Sequence, residues 1–218
     1  MKNIIHKIIK SYRKDGFEGL LTKSKNYLSE KVYFRKYIWF EKDLAGPAPI
    51  LYPKIEAQFV FDSGEKINEF LDERIYHGNP PDDEKYERKI ALENGHFITS
   101  AQLNGKIICY RKIGRNNVYI KNFDKTVKLI KGTAFAYSLY TDPEYRKLGL
   151  AGFLLSKSIE PLKNNGLTKM ANQVRSSNIA AINLVKKCNW SQIAESWHVK
   201  FFGLNIISRL PSSIFIDK

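Results

Sequence analysis

One stretch limits the available folds more than any other. "AFAYSLYT" (Ala134–Thr141) reads as an apolar strand, and Pro143 ends it because proline cannot continue a ladder. "YRKLGLAGFLL" (Tyr145–Leu155) then carries the chain through a glycine turn into an apolar helix. A strand handed straight to a helix belongs to a layered fold in which helices cover a sheet.

The flanking sequence repeats this exchange. "KIEAQFVFD" alternates like a strand, Ser63 can cap a helix "GEKINEFLDERIY", and "PPDDEKYERKIALENG" opens on prolines and acids and closes on glycine, as a second helix does. "HFITSAQLNGKIICYRKI" is two strands about an Asn104-Gly105 hairpin turn. "NVYIKNF" and "GTAFAYSLYT" are further strands. Leu148 to about Asn164 is helical, "LTKMANQV" a strand, Asn178–Lys187 a helix and "SWHVKFFGL" a last strand. The fold class expected is a mixed α/β (α+β) layer.

The first 45 residues differ from the rest. Ile4, Ile5, Ile8, Ile9 and Tyr12 share one helical face, and after Gly16 a second stripe runs through Phe17, Leu20, Leu21 and Leu28. "KVYFRKYIWF" follows. "GPAP" (Gly46–Pro49) is the expected break between a basic amphipathic helical extension, residues 1–45, and the main domain, residues 46–218. Net charge is +14 over 218 residues, and residues 1–37 hold ten Lys or Arg against three acids, a net of +7. Half the excess therefore sits in about a sixth of the chain. The extension either caps the domain or lies on an anionic membrane surface through residues 1–40.

Other classes are disfavoured. No stretch approaches the roughly 18 apolar residues of a spanning helix. The N-terminus is too broken by His6, Lys7 and Lys10 for a secretory signal, so the cytoplasm, with peripheral membrane contact through the extension, is the expected address. Cys109 and Cys188 have neither disulfide-framework nor metal spacing, so no metal is expected. No zinc-finger, RNP or helix-turn-helix signature is present, which counts against nucleic acid.

The turn after the strand has the parts of a pyrophosphate cradle. The first N–H groups of a helix lack partners and sit at the positive end of its dipole, Gly149 and Ala151 keep the approach narrow, and Arg146 and Lys147 add charge. Neither a P-loop nor a three-glycine dinucleotide fingerprint is present. Taken singly, Asn178 reads first as a helix cap, and Gly149 also fits a packing glycine.

Together, the motifs resemble the GCN5-related N-acetyltransferases (GNAT). "DPEYRKLGLAGFLL" is similar to their coenzyme A signature R/Q-x-x-G-x-G/A, with Arg146, Gly149 and Ala151 at its positions. Further on, "RSSNIAAINLVKKCNW" follows Val174 as the family's next helix follows its strand. Asn178, Ala181 and Leu184 match, and Asn189-Trp190 stand where Gly-Phe is usual. Asn is the non-glycine residue that best tolerates the left-handed geometry of a helix end. The resemblance covers residues 54–203 in element order and residues 139–190 residue by residue.

This resemblance implies a central mixed sheet of six or seven strands with about four helices, and an acyl-CoA-dependent N-acyltransferase using acetyl-CoA. The pantetheine arm would pair with the backbone of Leu139 and Thr141. The pyrophosphate would lie on Arg146, Lys147, Leu148, Gly149, Leu150, Ala151 and Gly152, with Asn178 facing the arm. An amine would attack the thioester directly in a ternary complex, and a backbone N–H near Tyr140 would stabilise the oxyanion. The family's frequent tyrosine is Val185 here; Tyr137, Tyr140 or His198 could supply the proton instead, with His96 or His198 as bases through water. The acceptor is a small or membrane-proximal amine, with Tyr76, His77, Asp82, Asp83 and Glu84 near its expected approach. A non-catalytic CoA-binding or regulatory protein and a basic membrane-surface module are the alternatives.

Overall fold

The structure, a computed structural model, describes residues 18, 32–62, 68, 80–201 and 204–216. The helical extension over residues 1–31, the helix "GEKINEFLDERIY" with its cap Ser63, and the residues Tyr76 and His77 lie outside the described residues, single positions 18 and 68 apart. The chain divides into two compact units: Met1–Lys36 with Trp197–Ser208, and Tyr37–Ser196 with Arg209–Lys218.

The chain runs β1 (Val32–Asp43), β2 (Gln58–Asp62), α1 (Asp82–Glu93), β3 (Phe97–Leu103), β4 (Lys106–Gly114), β5 (Asn117–Ile120), β6 (Lys125–Leu129), β7 (Thr133–Thr141), α2 (Leu150–Lys157), α3 (Ile159–Asn164), β8 (Lys169–Arg175), α4 (Ile179–Lys187), β9 (Ser191–Phe201), β10 (Leu204–Ile207) and β11 (Phe215–Ile216). In the larger unit the strand order is β9-β1-β8-β7-β4-β3-β2, and β11-β6-β5 form a second sheet. β7 and β8 are parallel, whereas β1 with β8 and β4 with β7 are antiparallel. The layered α/β expectation holds, with the small second sheet as an unforeseen addition.

Two expectations need correction. Residues 32–43 are not helical: β1 pairs with β8 from Tyr37↔Arg175 to Asp43↔Lys169, so the main sheet begins before the "GPAP" break. The reason is legible in "YIWF". Tyr37 and Trp39 pack against Phe123, and Trp39 also meets Phe135 and Phe215, while Ile38 and Phe40 enter the core on the opposite face. A strand covered on both faces loses its alternation and reads as a continuous apolar run. The helix expected over residues 148–164 is two helices, α2 and α3, meeting at Ser158. Pro161 has no N–H to donate and its ring clashes with the carbonyl four residues back, so one helix cannot run through it.

The core that positions the site lies between the sheet and α2–α4. It holds Phe40, Ala134, Ala136, Leu155, Met170, Ile182 and Val185. α2 adds Leu150, Phe153 and Leu154 against Ala101, Ile108 and Cys109 of β3 and β4. Burying each large apolar side chain fully contributes about 1.5–3 kcal/mol. No helix among the described residues is long and apolar enough to cross a membrane. In the smaller unit, β10 pairs with β9 from Leu204↔Phe201 to Ile207↔His198, and Tyr33 meets the His198 ring edge-on at 5.0 Å.

Candidate active site

The parallel ladder between β7 and β8 ends early. It runs from Thr133↔Lys169 to Ala136↔Asn172, although β7 continues to Thr141 and β8 to Arg175. On its other side β7 stays paired with β4, but the register jumps between Lys112↔Tyr137 and Tyr110↔Tyr140, so Ser138 and Leu139 together oppose Arg111. Ser138 takes φ +45 at this bulge. A bulge twists its strand and re-aims its groups, which turns this part of β7 away from β8. The backbone beyond Ala136 is left without a strand partner on the β8 side, and Leu139 is 43% exposed there. A left-handed serine costs about 1–3 kcal/mol. Ser138→Gly is therefore expected to raise the thermal midpoint, and Ser138→Val, with a β-branched side chain, to lower it.

The turn after β7 stands at the same end of the sheet. Asp142 Oδ1 accepts from Glu144 N, and Arg146 Nε donates to Thr141 O at 3.2 Å, which engages the carbonyl expected to face pantetheine. Arg146 and Lys147 are exposed, and Lys147 has φ +63. Gly149, the N-cap of α2, has φ +86 and no side-chain cap; Phe153 N is the first donor to reach back, to Gly149 O. The N–H groups of Leu150, Ala151 and Gly152 thus form the helix's open positive end.

The two glycines answer different local demands, one of backbone conformation and one of packing. Gly149 needs its positive φ of +86, which L side chains rarely adopt, while a Cβ there would make only ordinary contacts, 3.4 Å to Pro53 Cα and 3.5 Å to Tyr52 O. The same segment is tied down by Lys54 N to Leu148 O and by Leu51 N to Ser156 Oγ. Gly152 lets α2 approach Leu51 and α4: an added Cβ would lie 2.8 Å from Leu51 Cδ1 and 3.0 Å from Leu184 Cδ1. Gly152→Val is expected to destabilise by about 1–3 kcal/mol through overpacking, read as a lower urea midpoint.

α4 follows β8 after a short turn. Asn178 is its N-cap, with Oδ1 accepting from Ala181 N at 3.1 Å, so the cap alternative describes its side-chain oxygen. Val185 is 1% exposed in the core. Asn189 takes φ +58 at the helix end, the geometry that made its replacement of glycine inexpensive.

The proton-carrying candidates fall in different places. Tyr137 hydroxyl lies 2.9 Å from His96 Nδ1, and His96 Nε2 lies 2.8 Å from Asn117 O. The carbonyl can only accept, so Nε2 carries the hydrogen and Nδ1 accepts from Tyr137. Both His96 nitrogens are engaged, leaving none for a water relay. Tyr140 stacks on Tyr110 with centroids 5.6 Å apart. His198 belongs to the smaller unit, its ring between Tyr33 and Asn205.

Burial lowers His96 to about 4, with backbone acceptors opposing the shift. Its folded value lies below the 6.5 of a free imidazole, so the unfolded chain takes the proton first and stability is lost as pH falls from about 6.5 to about 4. The loss at pH 4.5 is about 2–3 kcal/mol. Urea unfolding at pH 7 and 4.5 is expected to show that difference, and His96→Gln to shrink it.

Sequence inspection missed the densest polar cluster. Lys112 Nζ, on β4, lies 2.8 Å from Glu84 Oε1 and 2.5 Å from Glu87 Oε1, and all three residues are buried. Lys121 Nζ reaches Glu84 Oε2 at 2.8 Å and Asp83 Oδ2 at 3.4 Å, and Arg88 Nε reaches Glu84 Oε1 at 3.2 Å. Burial pushes Glu84 up, but Lys112 and Lys121 outweigh it and hold the carboxyl at about 2. Glu87 ends above its ordinary value, because burial exceeds the pull of Lys112. Of the acids expected near the acceptor, Asp82 is exposed and pairs with Lys85, while Glu84 is consumed by the cluster.

A cavity of about 110 Å³ lies beside the β7–β8 divergence, lined in part by Glu87, Lys121, Asn122, Tyr137, Ser138 and Gln173. Continuing the ladder by one step would set Tyr137 opposite Gln173, so the cavity opens at the first broken pair.

Comparison with known proteins agrees with this architecture. The profile described as the acetyltransferase (GNAT) family matches residues 65–190. No curated protein matches the chain in sequence. Among solved structures, an acetyltransferase from the GNAT family of Colwellia psychrerythraea aligns with TM-score 0.51 at 13% identity, over 82% of this chain and 61% of that one. A GCN5-related N-acetyltransferase from Sphaerobacter thermophilus aligns with TM-score 0.50 at 14% identity, over 85% and 58%. The chain thus spans about three fifths of each relative's length, and the likeness is one of fold.

Proposed function

Since the chain belongs to the acetyltransferase (GNAT) family, we propose that it transfers the acetyl group of acetyl-CoA to an amino group by direct attack within a ternary complex. The observation that carries this reading is the early end of the β7–β8 ladder at Ala136↔Asn172, with a bulge at Ser138 and the open N-terminus of α2 beyond it. Unpaired backbone along residues 137–141 can take an amide-bearing arm as an extra strand. The α2 N-terminus, with Arg146 and Lys147 exposed beside it, suits a pyrophosphate. No part of the cradle demands a metal.

Within this reading the chain's residues have distinct tasks. The backbone of residues 138–140 supplies donors toward the thioester oxygen, where charge develops. Tyr137 has its hydroxyl hydrogen committed to His96 and its acidity suppressed by burial, so it orients rather than protonates. Val185, sealed in the core, offers the departing sulfur nothing. A thiol near pKa 8.5 leaves tolerably as thiolate, so an acid at that position is dispensable.

Calorimetric titration of acetyl-CoA into the full chain, with thiol release measured over a panel of amines, tests the proposal. Saturable binding and amine-dependent thiol release are expected; absence of binding would sink it. Binding without turnover on any amine would favour the non-catalytic reading, for which Val185 is the motive.

A further inference from the structure

We propose that one face of the sheet in the smaller unit docks on an anionic lipid bilayer, with Phe34, Trp197, Leu204 and Ile206 entering the boundary between headgroups and acyl chains. This docking is independent of acyl transfer.

Strand register builds the face. The first residues of β1, the last of β9 and all of β10 lie side by side in the order β10-β9-β1. Leu204 pairs with Phe201 and Ile206 with Val199. Directly paired residues share a face, as do alternate residues of one strand, which brings Trp197, Val199, Phe201, Leu204 and Ile206 together. Phe34 joins them with its ring 6.0 Å from that of Trp197, and alternation adds Val32. The reverse face is polar and aromatic: Tyr33 meets His198, His198 meets Asn205, and Arg35 lies 3.9 Å over the Tyr33 ring.

An antiparallel sheet ordinarily turns its apolar face to the core and its polar face to water. Here the apolar face is the open one. Phe34, Trp197, Leu204 and Ile206 are 52–63% exposed, whereas His198 on the reverse face is buried. Apolar side chains scattered singly over a surface are ordinary, but a contiguous patch marks a docking surface. The patch is firmly held as well. Trp197 N donates to Ser208 Oγ at 2.8 Å, and Ser208 N donates to Trp197 O at 3.0 Å.

Charge selects the occupant. Residues 1–36 carry ten Lys or Arg against Asp15, Glu18 and Glu30, and Lys200 is the one formally charged residue of Trp197–Ser208. The smaller unit therefore holds +8 of the chain's +14 in less than a quarter of its length. A second copy would bring the same charge to the same face and be repelled, whereas anionic headgroups attract it. Nucleic acid is anionic too, but Val32, Leu204 and Ile206 offer a base neither an aromatic ring nor a hydrogen bond. Hydrocarbon accepts all of them, and tryptophan favours the headgroup level. Apolar insertion and charge act together at such surfaces, with side chains dipping about 5–10 Å. The membrane contact expected from sequence lies in residues 1–40, and the register extends it to β9 and β10.

The tryptophans make the test specific. Trp39 and Trp190 are buried and Trp197 is exposed, so a change of emission on lipid reports on Trp197. The full chain is mixed with phosphatidylcholine vesicles with and without phosphatidylglycerol, and bound protein is sedimented. Binding is expected with phosphatidylglycerol and little without it, and salt should weaken it. Emission should shift to the blue and be quenched by brominated acyl chains. Trp197→Thr with Ile206→Thr is expected to raise the lipid concentration for half-binding by about tenfold or more, with an unchanged circular-dichroism spectrum. Should that variant not fold, Trp197→Phe is expected to bind vesicles nearly as wild type does and to lose the blue shift. No binding to the anionic vesicles overturns the proposal. Binding without blue shift or quenching, or kept in full by the double variant, assigns the contact to the charges of residues 1–36 and overturns the sheet face. A lipid-free dimer that the double variant abolishes, or quenching of Trp197 by a single-stranded oligonucleotide, gives the face to another occupant and overturns it equally.

Discussion

Arg146→Glu is expected to raise the Kd for acetyl-CoA by about 100-fold or more while leaving the fold intact. The guanidinium is exposed and spends one N–H on Thr141 O, so its remaining donors are available to a phosphate. Removing charge-assisted bonds forfeits about 1.5–3 kcal/mol, and placing a carboxylate beside a pyrophosphate adds repulsion. Every 1.4 kcal/mol is tenfold in affinity, so the sum reaches two decades. Exposed substitutions usually alter stability by no more than about 0.5 kcal/mol, so the thermal midpoint without ligand should barely move. Raising salt should weaken wild-type binding and leave the variant's less affected, since screening acts on the attraction that the substitution removes. Calorimetry at two ionic strengths reads both effects. A variant that bound acetyl-CoA as wild type does would move the pyrophosphate off the α2 N-terminus.

The sequence exposed the local devices of this fold and hid the distant ones. Asn104-Gly105 turns with both residues at positive φ, and Asn189 takes the left-handed conformation at the end of α4, because such geometry is chosen by one or two residues. The strand–turn–helix unit at residues 133–157 was legible for the same reason. β1 was not, because a strand buried on both faces carries no alternation, and its basic flanks resembled the amphipathic stretch before it. Gly152 was legible as part of the turn but not in its packing role, since Leu51, which crowds it, is about a hundred positions away. The Lys112 cluster lay furthest from view. Glu84 and Glu87 are spaced like any solvated helix face, and only tertiary folding brings β4 beneath them.

That cluster sets the other large effect. Lys112→Met is expected to destabilise the protein by about 3–5 kcal/mol, because it strands two buried carboxylates that share one ammonium. At 2–4 °C per kcal/mol for a chain of this size, the thermal midpoint should fall by roughly 6–20 °C. Methionine nearly matches the lysine stem, so little of the loss would come from a cavity. Glu84 keeps Lys121 and Arg88, whereas Glu87 loses its ion pair with Lys112, so Glu87 should carry most of the penalty. Two consequences separate this from a simple packing defect. Adding Glu87→Gln to Lys112→Met should recover part of the loss, since a neutral amide tolerates burial better than an unpaired carboxylate. The single variant should also be relatively less impaired at pH 5 than at pH 8. A Glu87 raised above its unfolded value contributes stability that is lost as pH rises through the folded value, and removing Lys112 raises it further. Equal losses at both pH values, with no recovery in the double variant, would mean that the carboxylates find solvent once the lysine is gone, and that Glu87 Oε2 is not sealed as its burial implies.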